Sequence, residues 1–210
     1  MGGMRMEGRA AVVTGATKGL GRDAALLLAE EGAGVVAVGR DEADGRSLEG
    51  EAAGLPGEVA FLAGDVRDES THDAAVDLAR ERFGRLDAYV NNAGILGPEG
   101  PLHETSVEAW EEVNAVNMRG TFLGCRAAIR AMREAGGGSI VNVGSILSLT
   151  GDPLITSWTA TKHWVLGLTR AIAADCAAAG IRRDRALPGD METPMILEHF
   201  AAGPDPATAR

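Results

Sequence analysis

Ala10-Ala11-Val12-Val13-Thr14-Gly15-Ala16-Thr17-Lys18-Gly19-Leu20-Gly21 passes from an apolar pentapeptide, through a glycine-rich turn, into an amphipathic stretch. Five apolar residues without polar alternation are too few for a helix and suit a parallel strand covered on both faces. Glycine permits a tight turn and lets a phosphate approach the backbone, while the free amides of a helix start carry partial positive charge. The turn therefore has the form of a pyrophosphate cradle, with Gly15, Thr17, Lys18, Gly19, Leu20 and Gly21 as candidate contacts. A helix start that needs glycine only for close packing would show the same local pattern.

Outward from this turn, short apolar runs alternate with longer amphipathic ones. Strands are predicted at residues 10–14, 35–38, 59–62, 86–90 and 139–143, and helices at 20–31, 41–53, 69–83, 107–132 and about 159–178. Strands alternating with helices imply a doubly wound parallel sheet with helices on both faces, and a ligand beyond the carboxyl ends of the strands. The expected fold is a three-layer α/β Rossmann domain, six strands in the order 3-2-1-4-5-6. Residues 1–210 are expected to form a single domain, and 201–210, with Gly203, Pro204 and Pro206, a loose tail.

Composition narrows the function classes. With 20 basic against 30 acidic residues, the net charge of -10 repels phosphate backbones and anionic membranes, so nucleic acid is not an expected partner. No apolar run reaches the ~20 residues that span a bilayer, and the first eight residues hold no apolar secretory core; a cytoplasmic, non-membrane protein is expected. Cys125 and Cys176 are expected to be buried thiols, not a disulfide, and no metal site is predicted.

At the end of the second strand, where dinucleotide folds often carry an acid for the ribose hydroxyls, the chain reads Val38-Gly39-Arg40. A cation there suits a 2′-phosphate, and Lys18 in the glycine turn is a second, so the pair favours NADP(H) over NAD(H). Both also read as solvated surface charges, and Asp41 is a carboxylate that would neutralise Arg40 or take the ribose itself.

Further along, Asn91-Asn92-Ala93-Gly94 follows the fourth strand, Asp65-Val66 the third, and Pro188-Gly189 with Thr193 the sixth. With the Gly-x-x-x-Gly-x-Gly turn these resemble the short-chain dehydrogenase/reductase family from Ala10 to Met195, including members like the 3-oxoacyl-(acyl-carrier-protein) reductases. The resemblance implies an adenosine wall at Asn91, Ala93 and Gly94, an adenine contact at Asp65 and Val66, and a nicotinamide loop at Pro188, Gly189 and Thr193. It also implies hydride transfer between nicotinamide and a small carbonyl or alcohol, coupled to a tyrosine proton, with serine, lysine and asparagine in support.

Asn117 matches the family's asparagine of the proton relay, Ser145 the serine that hydrogen-bonds the substrate oxygen, with Ser148 as rival, and Lys162 the lysine that binds the nicotinamide ribose and lowers the tyrosine pKa. Four residues before Lys162, the tyrosine position holds Trp158, and an indole cannot pass a proton to an alkoxide. The one tyrosine, Tyr89, reads as a buried strand residue, and His163 should diverge from Lys162 on the helix.

A second departure is Ile181-Arg182-Arg183-Asp184-Arg185-Ala186-Leu187, whose four consecutive charges do not suit a strand buried on both faces. Family members usually continue through a seventh strand, which is expected to be missing here, and a sixth strand at the edge would tolerate charge. The alternative is a disordered segment with the sheet ending at the fifth strand. The resemblance further implies a homodimer through the long helices beginning near Val107 and Thr159. The competing functions are an NADP(H)-dependent oxidoreductase impaired by Trp158, a non-catalytic NADP(H)-binding partner or sensor, and a shortened or altered form of an active enzyme.

Overall fold

A computed structural model describes residues 4–197 of the chain. It contains one sheet of six parallel strands in the order β3-β2-β1-β4-β5-β6: β1 (Ala10–Thr14), β2 (Gly34–Gly39), β3 (Glu58–Ala63), β4 (Ala88–Asn91), β5 (Gly138–Val143) and β6 (Ile181–Ala186). Register is continuous across the centre, with Val12 opposite Val36 and Tyr89 opposite Ile140. The helices are α1 (Gly19–Glu30), α2 (Glu42–Glu51), α3 (Glu69–Phe83), α4 (Val107–Asn114), α5 (Gly120–Ala135) and α6 (Thr156–Asp175).

Side chains alternate along the strands, so each strand feeds two cores. Val12, Val36, Val38, Tyr89 and Ile140 pack with Ala75, Ala128, Met132 and Ile172 from α3, α5 and α6. On the opposite face Val13, Val35 and Ala37 pack with Ala25, Ala29 and Leu48 from α1 and α2. Burying each of these valines contributes at most about 2 kcal/mol. Both faces of the central strands are covered, which is why their sequences read as unbroken apolar runs.

The charged sixth strand forms and pairs with β5 from Gly138↔Ile181 to Val143↔Ala186. Only Ile181 is buried; Arg182 pairs with Asp184 at 2.7 Å and donates to Ser139 Oγ, and Arg183 donates to the carbonyls of Ile172 and Ala173 at the end of α6. Arg182, Arg183 and Asp184 find partners and Arg185 is exposed, as suits a strand that, among the described residues, lies at the sheet edge. The alternative of a sheet ending at β5 is overturned.

Two helix predictions need correction. The stretch expected to run unbroken over 107–132 contains a π-helical turn at Ala115–Arg119, between α4 and α5. The last helix begins at Thr156 and ends at Asp175, followed by a short 3₁₀ turn at Ala177–Ala179, so Trp158 falls in its first turn. Both cysteines are buried and free. The predicted tail at 201–210 lies outside the described residues.

Candidate active site

Beyond the carboxyl ends of β1 and β4 the glycine turn is clasped by Asn92 and Ala93. Thr14 Oγ donates to the Val90 carbonyl and accepts from the amides of Asn92 and Ala93 at 3.1 and 3.2 Å. Asn92 Nδ2 donates to the carbonyls of Thr14 and Gly15 at 2.9 and 3.1 Å. A side chain at Gly21 would begin 2.3 Å from the Gly15 oxygen and 2.4 Å from Asn92 Nδ2, so only glycine fits. Thr14 and Asn92 thus build the cradle; neither was singled out from the sequence, because the need for them arises where two strands 76 or more residues apart come together.

The first turn of α1 has no side-chain cap and no acidic residue. Its amides, left without a protein partner of that kind, and the positive end of the helix dipole suit a pyrophosphate. Thr193 closes the cradle from the far side, its Cβ 3.2 Å from where a Gly19 side chain would start. The Pro188 carbonyl accepts from the Ile146 amide at 2.9 Å, joining the Pro188-Gly189 loop to the end of β5. The predicted contacts on the glycine turn and on this loop are therefore brought together.

Asn91 points elsewhere. Its side chain is 4% exposed and donates to Asn142 Oδ1 at 2.9 Å and toward Cys125 Sγ at 3.4 Å, while Asn142 donates to Thr169 at 2.9 Å. The prediction of Asn91 as a cofactor contact is corrected for its side chain, which belongs to the polar part of the core; strand alternation sends Asn91 inward and leaves Asn92 for the turn.

At the other end of the crevice Arg40 is exposed, and Asp41 caps α2 by accepting from the Asp44 amide at 3.0 Å. Lys18 Nζ lies 3.0 Å from Asp44 Oδ2 in the first turn of α2. Asp65 receives Arg67, Nη2 at 2.6 Å and Nε at 3.0 Å, and Arg67 also reaches Glu112. The Arg67 hydrogen bonds hold the Asp65 carboxyl below its ordinary range, and Arg40 adds to this from a distance. Val66, next in the chain, gives its carbonyl to His72 Nε2 at 2.8 Å.

Three of the residues expected to carry chemistry, Asn117, Trp158 and Lys162, meet around Gly94. The point where a Gly94 side chain would begin is 3.3 Å from Asn117 Oδ1, 3.6 Å from the Trp158 ring and 3.7 Å from Lys162 Nζ. Asn117 accepts from the Ile95 amide at 2.9 Å and donates to the Ile95 carbonyl at 3.0 Å and to Thr161 Oγ at 3.1 Å. Its side chain is fully engaged in fixing the loop after β4, and the π-helical turn carries it. Lys162 is 3% exposed, donates to the Val143 carbonyl at 2.8 Å and lies 4.4 Å from the centre of the Trp158 ring. Burial pushes its ammonium down to about 8.

Ser145 Oγ accepts from the Leu147 amide at 3.1 Å, and the Ser145 amide donates to Ser148 Oγ at 3.2 Å. Both serines thus cap the same short turn, Ser148 at 1% and Ser145 at 8% exposure. His163 is exposed and donates to the Thr159 carbonyl at 3.0 Å. Tyr89 is fully buried with its hydroxyl 2.8 Å from His72 Nδ1, and burial raises its pKa. Neither lies with Lys162, so the arrangement around Gly94 contains an ammonium and an indole where the family resemblance implies an ammonium and a phenol.

Comparison with known proteins agrees with this fold. Residues 9–202 match the family model described as short chain dehydrogenase. The chain is 44% identical over 189 residues to a cis-4-hydroxycyclohexanecarboxylate dehydrogenase of Sinomonas cyclohexanicum, covering 90% of this chain and 75% of the relative. The crystal structure of a levodione reductase superposes with a TM-score of 0.87 at 36% identity, covering 93% of this chain and 77% of that one. A 3-ketoacyl-(acyl-carrier-protein) reductase from Brucella melitensis, crystallised with NADH, gives 0.86 at 35% identity, covering 91% and 79%.

Proposed function

The chain belongs to the short chain dehydrogenase family, and on that premise we propose that it is an NADP(H)-dependent oxidoreductase of a small carbonyl or alcohol whose proton step is impaired by Trp158. The observation that carries the cofactor part is the uncapped start of α1, where a Gly21 side chain would meet the Gly15 carbonyl at 2.3 Å. Such a turn leaves backbone amides for a pyrophosphate and room for nothing else. A nicotinamide held beyond it supplies or takes up a hydride.

The chain's own groups then have these tasks. Gly15, Thr17, Lys18, Gly19, Leu20 and Gly21 hold the pyrophosphate; Asp65 and Val66 border the adenine; Ala93, Gly94 and the Asn91 backbone form the adenosine wall. Arg40 and Lys18 take the 2′-phosphate, which favours NADP(H), and Asp44 would yield its pairing with Lys18 to that stronger anion. Pro188, Gly189 and Thr193 cover the nicotinamide. Ser145 donates its hydroxyl to the substrate oxygen, Lys162 binds the ribose, and Asn117 keeps the Ile95 loop against the site. Trp158 lines the place from which a proton must come and cannot give one. General acid catalysis is worth ~10² to 10⁴-fold, so water would deliver the proton slowly.

A second reading is a non-catalytic NADP(H) binder. It is favoured by the contact of Trp158 with Lys162 at 4.4 Å, which fills the space beside the ammonium with an inert ring. The relative named for a hydroxycyclohexanecarboxylate supports a small alcohol as substrate if turnover exists. We also propose a cytoplasmic homodimer without membrane or nucleic-acid partners. Among the described residues no helix is long and apolar enough to cross a membrane. A groove of about 610 Å³ that runs from α4 (Glu111) through the π-helical turn (Met118, Arg119) to α5 (Phe122, Arg126), with Trp164 of α6 at its side, supports pairing through those helices.

The deciding experiment is thermal unfolding with NADPH and with NADH. At 100 times the dissociation constant a ligand adds ~2.7 kcal/mol. A clear shift with NADPH and little with NADH is expected; no shift with either removes both readings.

A further inference from the structure

His72 is a buried titratable residue that the proposed chemistry does not use. It is 1% exposed in the first turns of α3, and both ring nitrogens are engaged: Nε2 lies 2.8 Å from the Val66 carbonyl and Nδ1 2.8 Å from the Tyr89 hydroxyl. A carbonyl only accepts, so Nε2 carries the proton and donates to Val66. Nδ1 is then the acceptor, and the Tyr89 hydroxyl donates to it. The order of donors is thereby determined from the sheet outward: Tyr89 in β4, His72 in α3, Val66 in the loop between β3 and α3.

That loop borders the proposed adenine position. Its ends are held by backbone bonds, Gly64 to the Gly39 carbonyl at 2.9 Å and Asp68 to the Asp65 carbonyl at 3.0 Å. At Val66 itself the carbonyl is held by His72, and the side chain abuts α5, 3.0 Å from where a Gly120 side chain would begin. The Val66 amide donates to none of the described residues, which leaves it for a ligand.

We infer that His72, backed by Tyr89, is a positioning residue that holds the Val66 backbone in place for the adenosine half of the dinucleotide. The inference rests on the reading of Asp65 and Val66 as the adenine border. A histidine braced from the sheet offers a fixed donor, whereas an apolar residue of similar size would fill the volume and leave the Val66 carbonyl to drift. Burial lowers the His72 pKa, which keeps the ring in the neutral form that the donor order requires.

The test uses the two halves of the cofactor separately, 2′,5′-ADP and reduced nicotinamide mononucleotide, with binding to the full chain measured by calorimetry. His72→Phe is expected to weaken 2′,5′-ADP by about tenfold or more, the loss of a hydrogen bond's worth of ordering, and to leave the mononucleotide within about twofold. His72→Gln, whose amide can donate from near the Nε2 position, is expected to recover most of the loss. Equal weakening of both halves, or no weakening of either, would overturn the inference, as would a Gln variant no better than Phe. If His72→Phe does not fold, Tyr89→Phe removes only one hydroxyl and carries the same expectation and the same refutation. A wild-type protein that fails to bind 2′,5′-ADP refutes the adenine reading itself, and the inference with it; effects seen only among the variants bear on His72 alone.

Discussion

Lys162 Nζ lies 4.4 Å from the centre of the Trp158 ring, one helical turn away, with its remaining hydrogen bond directed to the Val143 carbonyl at 2.8 Å. The indole face stabilises the buried ammonium through the ring quadrupole, and in doing so occupies the place beside it where an acid would stand. On the proposed function, the cofactor-binding groups are kept while the proton donor is lost.

Trp158→Tyr puts a phenol within reach of the Lys162 ammonium. NADPH oxidation with a panel of small cyclic and acyclic ketones should rise by ~10² to 10⁴-fold over the parent. An unchanged rate in a variant that still binds NADPH would show that Trp158 is not what limits turnover.

Lys162 gives stability a pH dependence of known sign. Burial lowers it from 10.5 to about 8, so between those values the unfolded chain holds a proton that the native chain has shed. Stability therefore rises with pH across that window, by at most about 3 kcal/mol. Lys162→Met removes this titration. Thermal unfolding of both proteins at pH 8 and pH 10 should show the wild type gaining on the variant; parallel curves would contradict the buried-ammonium account.

Gly21→Ala places a methyl 2.3 Å from the Gly15 oxygen and 2.4 Å from Asn92 Nδ2. The turn must open, at a cost of about 1 to 3 kcal/mol. The expected result is a lower melting temperature together with loss of the NADPH-induced shift, both read in one melting series. A variant that still shifts normally would move the pyrophosphate away from this turn.

Arg40→Asp reverses the charge proposed to meet the 2′-phosphate. A charge-assisted hydrogen bond contributes about 1.5 to 3 kcal/mol, roughly 10- to 150-fold in affinity, so the NADPH-to-NADH preference should fall by at least that factor. The two dissociation constants, from the fluorescence of the reduced nicotinamide, check it. An unaltered ratio would leave Arg40 a surface charge, with Lys18 then to be tried.

Most of the fold was legible because it depends on short-range pattern. The apolar runs at Ala10–Thr14 and 35–38, the amphipathic stretch at Glu69–Phe83 and the glycine turn each report their own conformation, since period and backbone freedom are local properties. The π-helical turn at Asn117 was not legible: nothing in Val116-Asn117-Met118 announces it, and its side chain is held by Ile95, 22 residues away.

The candidate site divides in the same way. The types of residue at 15–21, 91–94, 145, 158 and 162 could be read in order along the chain, and with them an indole at the position where the family resemblance implies a phenol. Only the tertiary structure decided that Asn92 and not Asn91 serves the turn, that Ser148 caps a backbone, that β6 takes its charges at an edge, and that His72 joins Tyr89 to Val66. These depend on which groups from distant segments come within hydrogen-bonding distance once the sheet is assembled and water is excluded, and a buried polar group must then find its partner across space, because a neighbour in sequence seldom faces it.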